Sequence, residues 1–96
     1  TAIIYDNDVM ALAGLGVGSF AGIKVPEEIS IMSWDDSLMC TAAYPNLTAR
    51  AVTVDTGKQA AGLLLKLIGG ERVGHLMEGP YELRARASTG PAPAAE

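Results

Sequence analysis

Residues 29–37 read Ile29-Ser30-Ile31-Met32-Ser33-Trp34-Asp35-Asp36-Ser37, and the reading of this stretch decides the fold. Its first half is a short apolar run punctuated only by serines, the pattern of a strand covered on both faces of a parallel sheet. It then breaks into an indole and two carboxylates, where such a strand gives way to a loop. In open α/β sheets, ligands gather at the carboxyl ends of strands. The stretch therefore predicts one wall of a small-molecule site.

On its N-terminal side, Ala2-Ile3-Ile4-Tyr5 reads as a short buried strand and Asp6-Asn7-Asp8 as N-cap chemistry. A helix is expected from about Asp8 to Phe20. Val9 through Val17 carries no polar side chain, so this helix has no evident solvent face and is expected to be covered on more than one side, by sheet and by a partner subunit. Gly14, Gly18 and Gly22 recur at i, i+4 and form a smooth ridge, each interior glycine costing ~1 kcal/mol relative to alanine. Met10, Leu12, Gly14, Val17 and Gly18, with Ala43 and Tyr44 further on, are the candidate dimer contacts. Gly14-Leu15-Gly16-Val17-Gly18 is not a dinucleotide fingerprint: the third required glycine is replaced by Ser19 and the run falls inside a helix. Gly22 is the C-cap, and Val25-Pro26-Glu27-Glu28 turns the chain into the central strand, which completes a parallel βαβ unit.

On its C-terminal side, Ser37 to Tyr44 predicts one or two helical turns, stopped by Pro45-Asn46. Arg50 to Val54 alternates and predicts a short strand or crossover. Asp55-Thr56 offers a second cap for an amphipathic helix over Gly57–Ile68, with Ala60, Ala61, Leu64, Leu67 and Ile68 on its apolar side. Val73–Met77 is expected to be a strand, Glu78-Gly79-Pro80 a turn, and Tyr81–Arg86 a strand with Tyr81, Leu83 and Ala85 facing inward and the charges, Arg84 and Arg86 among them, outward. Gly90 to Glu96 is expected to be a frayed tail.

The bulk numbers bound the rest. Seven basic against eleven acidic side chains give a net charge of −4, which argues against this segment itself gripping phosphate backbones. The single cysteine, Cys40, allows no internal disulfide and points to a reducing cytoplasm; it reads as a small buried hydrophobe. No apolar run reaches the ~18 residues a spanning helix needs. Thr1 is followed at once by an apolar run, so the chain is expected to be a segment of something longer. The only histidine, His75, gathers no metal set, and neither catalytic nor cofactor residues are identified. Asp35 and Asp36 could form a catalytic pair, but adjacent residues of an extended chain point oppositely. A hydroxyl acceptor beside a loop cap or ion-pair partner is the better division. Trp34 reads either as a core residue or as a stacking platform, and Asn7 as a cap, a ligand contact, or both.

Three motifs then line up in order: Asn7-Asp8-Val9-Met10-Ala11-Leu12 after a strand, Val25-Pro26-Glu27-Glu28-Ile29-Ser30 running into Trp34-Asp35-Asp36, and Arg86-Ala87-Ser88-Thr89. Together, with Pro45-Asn46-Leu47-Thr48 before a crossover, they resemble the C-terminal part of the effector-binding domain of LacI/GalR-family bacterial repressors. The resemblance implies an α/β fold of the type I periplasmic-binding-protein kind, here partial, with a parallel βαβ core and helices on the sheet. It implies that residues 1–90 are a fragment of that domain, about 1–49 and 81–89 in the C-terminal lobe and about 50–80 crossing to the other lobe, with 91–96 a disordered tail.

By the same resemblance Asn7 and Asp35 match effector contacts, the aspartate commonly taking sugar hydroxyls, and Trp34 holds the aromatic position beside it. Val52 or its neighbours stand where many members place glutamine or another polar contact; here the crossover reads one residue shorter and apolar. The implied partners are a small-molecule effector of sugar or nucleoside class, a second copy of the chain, and operator DNA only through an N-terminal domain outside this segment. The rival readings are a sugar-binding protein of an ABC transporter with the same fold, and an α/β enzyme, for which no nucleophile–base pair is found.

Overall fold

A computed structural model describes residues 1–75 and 79–94. The elements run β1 (Ala2–Tyr5), α1 (Asp8–Ala21), β2 (Ser30–Ser33), α2 (Leu38–Ala42), β3 (Thr48–Val52), α3 (Thr56–Ile68) and β4 (Tyr81–Arg84). The strands form a four-stranded sheet in the order β1-β2-β3-β4. β1 pairs parallel with β2, Tyr5 opposite Ser33, and β2 pairs parallel with β3, Ser33 opposite Ala49. The α/β class and the parallel βαβ core expected from the Ile29–Ser37 stretch are what the structure shows.

The chain divides into two compact units, Thr1–Ala51 with Leu83–Glu96, and Val52–Glu82. The first owns a small core of Ala11, Leu15, Ile31, Cys40, Leu47 and Ala49, against which Tyr5, Val25 and Ala43 pack. α1 starts where Asn7, in extended conformation, accepts the Met10 N–H on its side chain, and ends at Gly22, whose φ of 73° favours glycine. Of its apolar surface only the stripe Ala11, Leu15, Gly18 is buried. Met10, Leu12 and Val17 are exposed, and Phe20 is 96% exposed. Gly14 lies close under the Tyr5 ring, which a Cβ there would displace.

β2 earns its buried reading, with Ile31 and Ser33 at 2% and 0% exposure. The serines that punctuate it are satisfied. Ser33 Oγ donates to the Asp35 carbonyl at 2.6 Å and accepts the Asp35 N–H, and Ser30 Oγ accepts the Gly90 N–H at 3.1 Å. A buried hydroxyl is tolerated because its hydrogen bonds are made.

Four expectations are corrected. β1 is an edge strand, and its Ile4 is 61% exposed rather than buried. β3 begins at Thr48, two residues before the alternation at Arg50 suggests, because pairing with Met32 and Ser33 extends the strand back toward buried Leu47. In β4 every residue is exposed, Leu83 at 63%, while Arg86, read as an outward charge, is the residue that turns in. Val73–His75 is irregular rather than a strand; Leu76, Met77 and Glu78, with the rest of that expected strand and the start of the following turn, lie outside the described residues.

α3 matches its expected span and is capped by Asp55, whose side chain accepts the Lys58 N–H at 3.0 Å. None of its residues is buried within the chain. Gly90–Ala94 has no regular structure, and Ala95 and Glu96 lie outside the described residues.

Candidate functional site

Parallel pairing places the residues that follow β1 and β2 at the same end of the sheet. Tyr5 and Ser33 are opposite one another, and the Trp34 N–H donates to the Tyr5 carbonyl at 2.9 Å. Asn7 and Asp35 each lie two residues beyond that matched pair. Both therefore emerge at the carboxyl edge of the sheet, where the topology of an open α/β sheet puts ligands.

The chemistry available at this edge is complementary. Asn7 Oδ1 is engaged by the Met10 N–H at 2.9 Å, so the capping role assigns the amide and leaves Nδ2, two donors, without a partner among the described residues. Asp35 is exposed, and its backbone is fixed through Ser33, but its carboxylate has no hydrogen-bond or ionic partner among the described residues. Trp34 is 44% exposed rather than core. Arg50 on β3 lies over its ring, 4.2 Å from guanidinium carbon to centroid, and its Nε donates to the Trp34 carbonyl at 3.1 Å. A donor pair, an acceptor pair and a braced aromatic plane suit a small ring bearing hydroxyls. Val52, the last residue of β3, is half-buried and belongs to the second unit.

Asp36, one residue on, is built differently. Arg86 grips it with both terminal nitrogens, Nη1 to Oδ1 at 2.8 Å and Nη2 to Oδ2 at 3.0 Å, and Arg84 adds a third bond at 3.0 Å. The Ser37 N–H closes on Oδ1 at 3.0 Å. The bonded Arg86 guanidinium holds the Asp36 carboxyl below its ordinary range, against a partial burial that pushes the other way. Reciprocally, Asp36 raises the Arg86 pKa. The pair is 12% exposed on each side chain, so Asp36 is the ion-pair partner and loop cap of its segment.

Arg86 also donates to the Leu47 carbonyl at 2.7 Å, and Ser88 Oγ accepts the Thr48 N–H while donating to the Ile31 carbonyl. The Arg86–Thr89 motif thus ties β2 to the start of β3. These roles had no sequence signal beyond the motif itself. Arg50 had a faint one, a lone cation on the side of β3 shared with Val52.

The dimer candidates separate. Gly18 is buried and Gly14 half-buried within the chain, Ala43 packs on the core, and Met10, Leu12, Val17 and Tyr44 face outward, Tyr44 at 98% exposure. An apolar groove of about 370 Å³ runs along Met10, Gly14 and Val17 toward Ile3 and Ile23, and none of Asn7, Trp34, Asp35 or Val52 lines it. Among the described residues no group of three His, Cys, Asp or Glu side chains could hold a metal ion. Cys40 is fully buried, its thiol directed at the Asp35 carbonyl at 3.5 Å. No helix among the described residues is long and apolar enough to cross a membrane.

A partial parallel α/β sheet with polar and aromatic side chains at its strand ends has the architecture of a ligand-binding domain of the periplasmic-binding-protein kind. The comparisons with known proteins place the chain in that class. The periplasmic binding protein-like domain family matches residues 1–89, and the chain belongs to that family, in the branch represented by LacI-type transcriptional regulators. It is 38% identical over 93 residues to the HTH-type transcriptional repressor CytR of Escherichia coli, covering 93% of this chain and 27% of that protein. A LacI family transcriptional regulator from Bifidobacterium animalis subsp. lactis superposes with a TM-score of 0.86 at 58% identity, over 99% of this chain and 35% of that one. A LacI family regulator from Enterococcus faecium, solved with bound ribose, superposes with a TM-score of 0.85 at 31% identity, over 96% of this chain and 35% of its own. The chain thus spans about a third or less of the length of the relatives it matches.

Proposed function

We propose that this chain is the C-terminal part of the effector-binding domain of a LacI-type transcriptional repressor, a cytoplasmic homodimer without enzymatic activity that senses a sugar or nucleoside. The observation that carries the reading is the exposed Asp35 carboxylate, without a partner among the described residues, next in sequence to an arginine-braced Trp34 and to a carboxylate that is wholly engaged. In this reading Asp35 accepts two ligand hydroxyls through charge-assisted bonds, Asn7 Nδ2 donates to a ring oxygen or hydroxyl, and the exposed face of Trp34 stacks on the apolar face of the ring. The relative solved with ribose supports the ligand class, and the outward apolar side chains of α1 support a partner copy.

The division of the chain after Ala51 and before Leu83 supports two lobes, residues 1–49 and 81–89 in one and about 50–80 in the other. An effector that prefers one lobe orientation would shift the equilibrium between orientations and reposition a DNA-binding domain outside this segment. The test is isothermal titration and thermal shift of the full-length regulator with ribose, glucose and adenosine, beside its Asp35→Ala variant. A ligand that binds only the native state raises its melting temperature. The expected result is a response in the wild type, its loss in the variant, and an unchanged dimer by light scattering. A variant that responds as the wild type does ends the assignment of Asp35.

A further inference from the structure

One side chain at this edge belongs to neither the expected contacts nor the structural cluster. Arg50 sits on β3 between Ala49 and Ala51, both buried, and is itself half-buried, so it leaves the strand on the less covered face. The register that sets Ser33 opposite Ala49 carries Arg50 level with Trp34. Two interactions then converge on one residue: the guanidinium over the indole at 4.2 Å, and Nε on the Trp34 carbonyl at 3.1 Å. The first restrains the ring and the second its backbone. The distance lies well within the roughly 6 Å at which a cation over tryptophan is attracted to the ring face.

We propose that Arg50 is a positioning residue of the effector site, holding Trp34 from one face so that the opposite face stands beside Asp35 as a fixed stacking platform. The inference rests on the sensor reading above and names the ligand more closely. A ring laid on that platform must present an apolar face to the indole and hydroxyls at its rim to Asp35, which selects pyranoses, furanoses and nucleosides over acyclic polyols. An acyclic chain offers the hydroxyls without a face. The physical reason for spending an arginine here is preorganisation: an indole otherwise free to turn about two torsions is already ordered when the ligand arrives, and the ordering cost is not taken from binding. Arginine rather than lysine is needed because only its Nε can reach the carbonyl while the plane stacks on the ring.

The test uses the full-length regulator with Arg50→Ala, Arg50→Lys, Trp34→Phe, Trp34→Ala and the double variants R50A/W34F and R50A/W34A. Subtracting the spectra of the Trp34→Phe backgrounds isolates the emission and near-ultraviolet dichroism of Trp34. Without ligand, Arg50→Ala is expected to weaken the Trp34 dichroism and raise its quenching by acrylamide, with Arg50→Lys between the two. With ribose or adenosine as probe, Arg50→Ala is expected to raise Kd roughly 3- to 30-fold, the range a cation–aromatic contact supports. In a Trp34→Ala background, which leaves no ring for Arg50 to hold, the same change is expected to alter Kd less than about 2-fold, because the two residues act as one unit. Ribitol, the acyclic counterpart of ribose, is expected to bind the wild type more weakly than ribose and to be little affected by Arg50→Ala. An unchanged Trp34 signal in Arg50→Ala, an unchanged Kd, or an equal loss in both backgrounds overturns the proposal while leaving the sensor reading standing. A wild type that binds none of ribose, glucose and adenosine overturns the sensor reading, and this inference with it.

Discussion

Asp35 and Asp36 are neighbours in sequence and opposites in circumstance. Asp36 accepts three bonds from Arg84 and Arg86 and one from a backbone N–H, on a side chain only 12% exposed. Asp35 is exposed, and its carboxylate accepts none among the described residues. The difference separates two kinds of polar group. A carboxylate whose bonds are all made within the chain stabilises the fold and has little left for a ligand. One held in place by its backbone alone, through Ser33, contributes little to stability and keeps its full bonding capacity.

The comparison can be broken most forcefully at Arg86. Removing it by Arg86→Ala strips Asp36 of its bidentate partner and leaves the Leu47 carbonyl without its donor. Deleting one partner of a buried pair costs about 3 kcal/mol or more when the other charge is left alone, and because Arg84 stays on Asp36 the expected loss here is about 2 kcal/mol. Urea denaturation of the full-length regulator is expected to show a destabilisation of that size, and a midpoint within error of wild type would mean the cluster is ornamental.

Acid should act on the same group more gently. Because the folded-state pKa of Asp36 lies below its ordinary value of 3.8, its stabilising contribution is fully present above that value and is lost as pH falls through the folded pKa. Stability traced from pH 6 downward should therefore fall below about pH 4, and the Asp36-dependent part of that fall should be absent from Asp36→Asn, whose side chain does not titrate. An equal acid response in both proteins would assign the fall to other carboxylates.

The smallest expected effect is at Asp35. Asp35→Ala should leave the urea midpoint within about 0.5 kcal/mol of wild type, the usual range for an exposed side chain without partners. A large destabilisation would erase the contrast with Asp36 and give Asp35 a structural role.

Much of the fold was legible because local signals and tertiary demands agree. The Asn7 and Asp55 caps, the Gly22 stop and the serine-punctuated β2 each have a local physical cause. The errors fall where a neighbour overrides the local pattern. β3 starts earlier than its own alternation suggests because pairing with β2 recruits Thr48. Tyr81, Leu83 and Ala85 alternate as an inward face yet lie exposed, while Arg86, just past the strand, is drawn in by Asp36.

At the site, the strand end that turns from serine to tryptophan and aspartate could be read from the chain alone, because a buried parallel strand must end in a loop and ligands collect there. So could the ion-pair and cap role of one of the two aspartates, since adjacent side chains of an extended segment diverge. The resemblance also left the structural role to Asp36, but the partners that engage it could not be read from the chain. Arg86 lies fifty residues from Asp36 in the chain, and Arg50 lies sixteen from Trp34. Pairings over such separations are set by strand register and order, which no local pattern carries. The residues at the end of β2 were therefore determined by sequence, and the partners that make Asp36 structural, with none on the Asp35 carboxylate among the described residues, were decided by the tertiary structure.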